Sequence, residues 1–335
     1  MRLAHLVCTD AFAGVERYVS TLARVQAAQG WEVTVLGGAH DRMPAELAGT
    51  PVTWQPAPDV RTAALTLRRW QGDVVHAHMT AAELAAATSG RPVVSTRHFA
   101  GRRGSSLPAR VVGSLAARRI RTQVAISDFV ALAVEGESVV VHPGVPAQPD
   151  GLPAARRGRT VLMAQRLERE KRADLGLRLW AASGLAADGW RLTVAGGGAL
   201  AAELADLADA LGVRSSVDLL GQRADVDDLM AGAGVFLAPR PDEPYGLSVV
   251  EAMAHGTPVL AAAGGGHDET VGRTPGAVTF DAADPAAGGR TLAALARDEG
   301  RRERYGRALR THQREHLTVE HHAAALEPIY RGAVR

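Results

Sequence analysis

VFLAPRPDEPYGLSVVEAMAHGTPVLAAAGGGHDETV, residues 235–271, opens on an apolar run, turns at Pro244 and Gly246, and continues with helical spacing from Leu247 to His255. It then returns to a second apolar run at Pro258–Ala261. A strand, a helix and another strand joined this closely predict parallel pairing through a right-handed crossover. Working outward, the same alternation repeats. Strands are expected at Thr160–Ala164, Arg191–Ala195, Val217–Leu219 and Val235–Leu237, with helices at Arg172–Ser183 and Leu200–Leu211 between them.

Upstream, PGVPAQPDGLPAARRGR, residues 143–159, is dense in Pro, Gly and Arg and has no apolar period, as in a linker. Before it the alternation runs a first time. Leu3–Cys8, Glu32–Leu36, Asp73–His76, Pro92–Ser95, Thr122–Ile126 and Ser138–Val141 read as strands, and Glu16–Gln29 as a helix. Two open parallel α/β sheets are therefore expected, with ligands at the carboxyl ends of their strands in a cleft between the domains.

Composition narrows the function classes. The 335 residues are 46% hydrophobic and 22% charged, which fits two globular domains and excludes disorder along the whole length. Lys+Arg 38 against Asp+Glu 36 leaves a net charge of +2, no electrostatic footprint for nucleic acid. Cys8 stands alone, so a disulfide framework and a thiolate metal cluster are excluded. The beginning MRLAHLVCTDAFAG lacks the pattern of a signal peptide, and a cytoplasmic location is expected. Only one of the 38 basic residues is lysine, Lys171, and the arginine, alanine and glycine bias suggests a GC-rich bacterial genome.

Several residue groups carry chemistry. Backbone N–H groups at the helix start near Gly246 make a site for an anion or hydroxyl, and Glu251, one turn further on, can accept from a vicinal diol. The ordinary alternative for Glu243 and Glu251 is a dipole-favouring acid and a surface glutamate. In RLEREKR, Arg166 and Lys171 follow a strand and supply fixed positive charge for a diphosphate; a solvated turn reads the same. Gly14, in a strand-to-helix loop ahead of Glu16, lets backbone N–H approach a phosphate, or simply makes the turn. His98, after a strand, can bond a sugar hydroxyl, or be a structural surface histidine.

Other groups point away from cofactors. His76 and His78 share one face of a strand but lack a nearby Cys or carboxylate to complete a metal site. Asp225-Val226-Asp227-Asp228 has the spacing of a cation motif but begins a helical segment, where its acids are expected to cap the helix. Gly196–Ala201 fits a dinucleotide fingerprint with Asp218 beyond it, but stands in the second half. Arg102–Arg121, with six arginines around Val111, Val112 and Leu115, reads as a solvated helix and loop, or as a face for anionic lipid.

Over most of its length the chain resembles the retaining GT-B glycosyltransferases of family 4. The pattern E-x-F/Y-G-L-x-x-x-E-A-M-A-x-G-x-P-V is met by Glu243, Tyr245, Gly246, Leu247, Glu251, Ala252, Met253, Ala254, Gly256, Pro258 and Val259. Gly264–Glu269 resembles the Gly-Gly-x-x-Glu segment that follows, and Arg166 and Lys171 stand where the family has Arg and Lys. Ala13-Gly14-Val15-Glu16 resembles the family's Gly-Gly-x-E loop with one glycine replaced, and Thr96 and His98 match its Thr-x-His. Ala164 and Gln165 depart from the glycine usually found before the Arg.

The resemblance implies a GT-B fold of two Rossmann-like, doubly wound domains facing across a cleft. An acceptor domain would span 1–145, a linker 146–159, an NDP-sugar domain 160–315, and a terminal helix at 316–335 would cross back. It implies that Glu251 binds the ribose hydroxyls and that the Gly246, Leu247 and Ser248 amides beside Tyr245 meet sugar or phosphate. Arg166, Lys171 and the Gly14 loop would hold the diphosphate, and Glu243 and His98 would face the donor sugar. The expected activity is retaining, metal-independent glycosyl transfer from a UDP-, GDP- or dTDP-sugar to an acceptor hydroxyl, in natural-product or cell-envelope biosynthesis, with no cofactor. A non-hydrolysing NDP-sugar 2-epimerase and a non-catalytic sugar-nucleotide-binding subunit are the alternatives.

Overall fold

The computed structural model describes residues 1–149 and 151–335 and divides into two compact units, Met1–Gly144 with Thr318–Arg335, and Val145–Leu317. The linker expected at 146–159 includes Asp150, which lies outside the described residues.

The first unit has strands β1 (Arg2–Val7), β2 (Glu32–Gly37), β3 (Thr53–Gln55), β4 (Val74–His78), β5 (Val93–Arg97), β6 (Ile120–Ala125) and β7 (Val139–Val140). All neighbours pair in parallel, in the order β3-β2-β1-β4-β5-β6-β7. Helices α1 (Gly14–Ala28), α2 (Met43–Leu47), α3 (Val60–Arg69), α4 (Met79–Ala86), α5 (Leu107–Ala117) and α6 (Asp128–Ala133) make the crossovers. Every residue of β4 and β5 is buried, because helices cover both faces of a parallel sheet; each opens on Val-Val without polar alternation and carries polar residues toward its carboxyl end. Strand β3, Thr-Trp-Gln at the sheet edge and half exposed, has no such run and escapes sequence reading.

The second unit repeats the design with β8 (Thr160–Ala164), β9 (Arg191–Ala195), β10 (Val217–Gly221), β11 (Val235–Ala238), β12 (Val259–Ala262) and β13 (Thr279–Phe280), ordered β10-β9-β8-β11-β12-β13. Its helices are α7 (Ala173–Ser183), α8 (Ala201–Ala210), α9 (Val226–Gly232), α10 (Leu247–Ala254), α11 (Pro285–Arg297) and α12 (Glu299–His316). The last helix, α13 (Val319–Val334), belongs to the first unit. In each sheet the strand order reverses once, between β1 and β4 and between β8 and β11, and open parallel sheets bind ligands outside such a reversal.

The segment leading into β8, expected as a linker, is fastened to the second unit: the buried Arg157 guanidinium donates to the carbonyls of Leu152, Ala231 and His255 and to the Thr257 hydroxyl, at 2.7–3.0 Å. Two expectations need correction. Asp225 makes no side-chain cap on α9, because its carboxylate engages Arg223 at 2.6 and 2.8 Å. The Arg102–Arg121 segment is not uniformly solvated: Arg103 is 2% exposed and clamped by Glu83, Gln123 and Glu135. The rest of that segment is open, with Leu107, Val111, Val112 and Leu115 exposed on α5. No helix among the described residues is long and apolar enough to cross a membrane.

Candidate functional site

The reversal between β8 and β11 brings two loops of the second unit together. After β8 the chain turns through a 3-10 segment, Arg169–Lys171; after β11 it runs through Pro239–Tyr245 into α10. There Lys171 Nζ donates to both carboxylate oxygens of Glu243, at 2.8 and 2.9 Å, with the side chains 21% and 16% exposed. Arg240, itself 16% exposed, adds a second cation 3.8 Å from the same carboxylate. Arg166 is placed differently from Lys171. It is 60% exposed and pairs with Glu170 at 2.9 Å, so the solvated-turn reading describes its position in this structure.

Lys171 is held from behind. The Gln165 amide donates to the Lys171 carbonyl at 3.0 Å, which gives the residue standing where the family has glycine a local task. Arg172, next in the chain, has φ 53°, a left-handed conformation unusual for a side chain with Cβ, at the cap of α7. The glycines of the apparent dinucleotide fingerprint serve the same loop. A Cβ on Gly196 would lie 1.8 Å from the Gln165 carbonyl oxygen, and one on Gly198 would lie 2.5 Å from that of Leu167. The fingerprint is therefore explained by backbone packing, and Asp218 is paired with Arg191 at 2.6 Å.

Helix α10 starts at Gly246, whose φ of 94° explains the glycine, and its first N–H groups have no partners inside the helix. Leu247 and Ser248 form the first turn, half-buried, and Glu251 lies one turn further on. Tyr245, expected beside the ligand-binding amides, has its ring packed inside: it is 2% exposed, and burial pushes its phenol pKa up. Beneath the helix start lies His267, which sequence reading passed over. It is 1% exposed, donates from Nδ1 to the Ala262 carbonyl at 3.0 Å, and sits close enough that a Cβ on Gly246 would approach its ring to 3.0 Å. Burial holds its pKa below the usual range, so the ring is neutral. The triple glycine before it is also steric: a Cβ on Gly266 would come within 2.3 Å of Tyr245 Cα, and its N–H donates to the Glu243 carbonyl at 2.7 Å.

In the first unit, Gly14 is the first residue of α1 rather than a loop residue, and Glu16 reaches back to accept from the Ala13 N–H at 2.8 Å. Nothing lies within 4 Å of a Cβ built on Gly14. His98, just beyond β5, is 8% exposed rather than a surface residue. Its Nε2 lies 3.1 Å from His78 Nδ1, and burial pushes its pKa down to about 3, so at neutral pH it can hydrogen-bond but cannot act as an acid. His76 and His78 are joined by His5, with ring nitrogens within 4.8 Å of one another. Those nitrogens are engaged with each other and with Gln26, Thr96, Tyr330 and His98. Met79, directly after His78, has φ 72°.

Two family models tile the chain in tandem: "Glycosyltransferase Family 4" matches residues 12–148 and "Glycosyl transferases group 1" matches residues 146–312. The chain belongs to glycosyltransferase family 4. A D-inositol 3-phosphate glycosyltransferase of Catenulispora acidiphila is 32% identical over 275 residues, 68% of this chain and 65% of that one. A protein of the same description from Salinispora tropica is 38% identical over 113 residues, 33% of this chain and 23% of that one. The matched stretches thus span less than two thirds of these curated relatives. Among solved structures, Anabaena Alr3699/HepE in complex with UDP and glucose superposes with a TM-score of 0.84 at 19% identity, covering 99% of this chain and 100% of that one. This family 4 chain therefore has the GT-B fold of two Rossmann-like units.

Proposed function

We propose that the chain transfers a sugar from a nucleoside-diphosphate sugar to an acceptor hydroxyl, with retention at the anomeric carbon and without a catalytic metal ion. The observation that carries the proposal is the Lys171–Glu243 pair at the strand-order reversal of the second unit, where Lys171 faces both carboxylate oxygens. Before a donor binds, this pair neutralises itself in a partly desolvated position. An arriving diphosphate gives Lys171 a second anion, and Arg166, which is held by an exposed ion pair, can swing to it at little cost. Fixed charge aimed at the departing diphosphate stabilises the negative charge that develops as the glycosidic bond breaks. The amides of Gly246 to Ser248 and the Glu251 carboxylate bind the phosphate, sugar and ribose oxygens, and Glu243 lies against the donor sugar. To the first unit we assign the contacts of the Gly14 backbone with phosphate and of the neutral His98 with a sugar hydroxyl.

The curated relatives named as D-inositol 3-phosphate glycosyltransferases and the neighbour solved with UDP and glucose support a nucleotide-sugar donor. The test is incubation with UDP-, GDP- and dTDP-sugars, with and without EDTA. Release of NDP and an α-configured product from an α-configured donor, unchanged by EDTA, is expected. A β-configured product would remove retention, and loss of turnover in EDTA with rescue by Mg²⁺ or Mn²⁺ would remove metal independence.

A further inference from the structure

The first unit holds a buried set of imidazoles and hydroxyls whose hydrogen bonds run in one direction only. The direction is fixed at one end by a group with a single possible role. The His142 carbonyl oxygen can only accept, and it lies 2.8 Å from His322 Nδ1, so that nitrogen carries the proton. A neutral His322 then offers Nε2 as an acceptor, to which the Tyr18 hydroxyl donates at 2.6 Å. This arm of the set ends at the Tyr18 hydroxyl.

A second group fixes the direction nearer His98. The Gln26 amide nitrogen donates to the Tyr330 hydroxyl oxygen at 3.4 Å, and Tyr330 in turn donates to His76 Nδ1 at 2.7 Å, which leaves the His76 proton on Nε2, facing the Thr96 hydroxyl at 2.6 Å. The Gln26 amide oxygen, which can only accept, faces His5 Nε2 at 2.7 Å. His5 therefore carries its proton on Nε2 and accepts at Nδ1 from His78 Nε2 at 3.1 Å. His78 accepts at Nδ1 from His98 Nε2, again at 3.1 Å. What remains at the far end is His98 Nδ1, a lone pair with no protein partner among the described residues.

We propose that this relay fixes His98 as its Nε2–H tautomer, so that the unprotonated Nδ1 accepts a hydrogen bond from a hydroxyl of the donor sugar, and that Gln26 is the positioning residue setting its polarity. The sugar contact rests on the role given to His98 above; the tautomer does not. The premise that the rings are neutral is supported by burial, which pushes His5 and His322 down to about 4 and His76 and His78 well below their usual value. Reversing one member alone would set two lone pairs or two hydrogens face to face in a dry interior, so the members are locked together. Gln26 is the one amide in the relay, donating on one side and accepting on the other, and an apolar side chain there would remove the acceptor that fixes His5 and, through His78, His98.

The test is long-range proton–nitrogen NMR of the ¹⁵N-labelled full chain near neutral pH, which distinguishes protonated from unprotonated ring nitrogens. His5, His76, His78 and His98 should each show a protonated Nε2, and His322 a protonated Nδ1. A protonated Nδ1 on His98, or a mixture of its tautomers, would overturn the relay in the wild-type protein without recourse to any variant. In Gln26→Met, His5 and His98 should become mixtures and the donor KM should rise about tenfold, while affinity for NDP alone stays unchanged. An unmixed His98 in that variant would remove Gln26 as the positioning residue. Finally, an NDP-sugar should shift the His98 Nδ1 signal and NDP alone should not; equal effects would overturn the sugar contact while the wild-type tautomer pattern stands.

Discussion

At the scale of single residues, the pairing of Lys171 with Glu243 makes a sharper prediction than either residue alone. Lys171→Ala should lower turnover by roughly 10² to 10³, the loss that follows removal of one preorganised donor to developing negative charge. Glu243→Gln should also slow the reaction, and the double variant should cost less than the two single losses multiplied, because each change already breaks the shared contact. Steady-state kinetics on the four proteins measures this, and full multiplicativity would mean that the pair is incidental to catalysis. The places of Lys171 and Glu243 in loops after strands, and of Glu251 on the helix that follows, were legible in the sequence because apolar runs mark the strands before them. Arg240 and His267 were not. Arg240 matters through its approach to Glu243, which depends on how the loop after β11 bends, and His267 through its place beneath Gly246, which exists only once the loops after β11 and β12 have packed together.

At the scale of elements, two glycines that look alike in sequence have opposite physical positions. Gly266 is required by packing, since a Cβ there meets the Tyr245 backbone; Gly266→Ala should lower stability by about 1–3 kcal/mol or more, seen in the urea midpoint. Gly14 is required by neither space nor backbone angle, and alanine at the start of α1 should leave stability unchanged or raise it by up to about 1 kcal/mol. If the glycine serves phosphate binding, Gly14→Ala should nevertheless weaken NDP-sugar binding. Calorimetric titration beside thermal melting separates the two effects, and unaltered affinity would leave Gly14 as no more than the first residue of α1. The strands buried on both faces could be read from sequence almost to the residue, as at Thr160–Ala164 and Arg191–Ala195. Strands β3 and β13 could not, being short and built by pairing rather than by an apolar run. Asp225 shows the same limit for caps: the residue type suited a helix start, but Arg223 two positions earlier took its carboxylate.

At the scale of the molecule, the buried histidines make acid stability uneven between the two units. His5, His76, His78, His98 and His322 all lie in the first unit, all with pKa values held below 6.5 by burial, to about 4, well below, well below, about 3 and about 4 respectively. Above pH 7 these rings are neutral in both the folded and the unfolded chain, so stability does not change with pH through them. As pH falls through 6.5 the unfolded chain takes up protons that the folded unit refuses, and stability is lost progressively down to about pH 4. Each ring contributes a slope of up to about 1.4 kcal/mol per pH unit, and five together reach several kcal/mol per pH unit, against a total of roughly 5–15 kcal/mol for a domain. In the second unit, His267 and the half-buried His312 are the histidines with lowered values among the described residues, so its loss should be much smaller. Tryptophan fluorescence can tell the units apart, with Trp31, Trp54 and Trp70 in the first and Trp180 and Trp190 in the second. Urea unfolding of variants keeping only one set should show the first unit's midpoint constant from pH 8 to 7 and falling steeply between 6.5 and 5, with the second nearly level. A first-unit midpoint that stays flat down to pH 5 would mean that the imidazoles take up protons in the folded unit as readily as in the unfolded chain, and the premise that burial keeps the rings neutral would fail with that result.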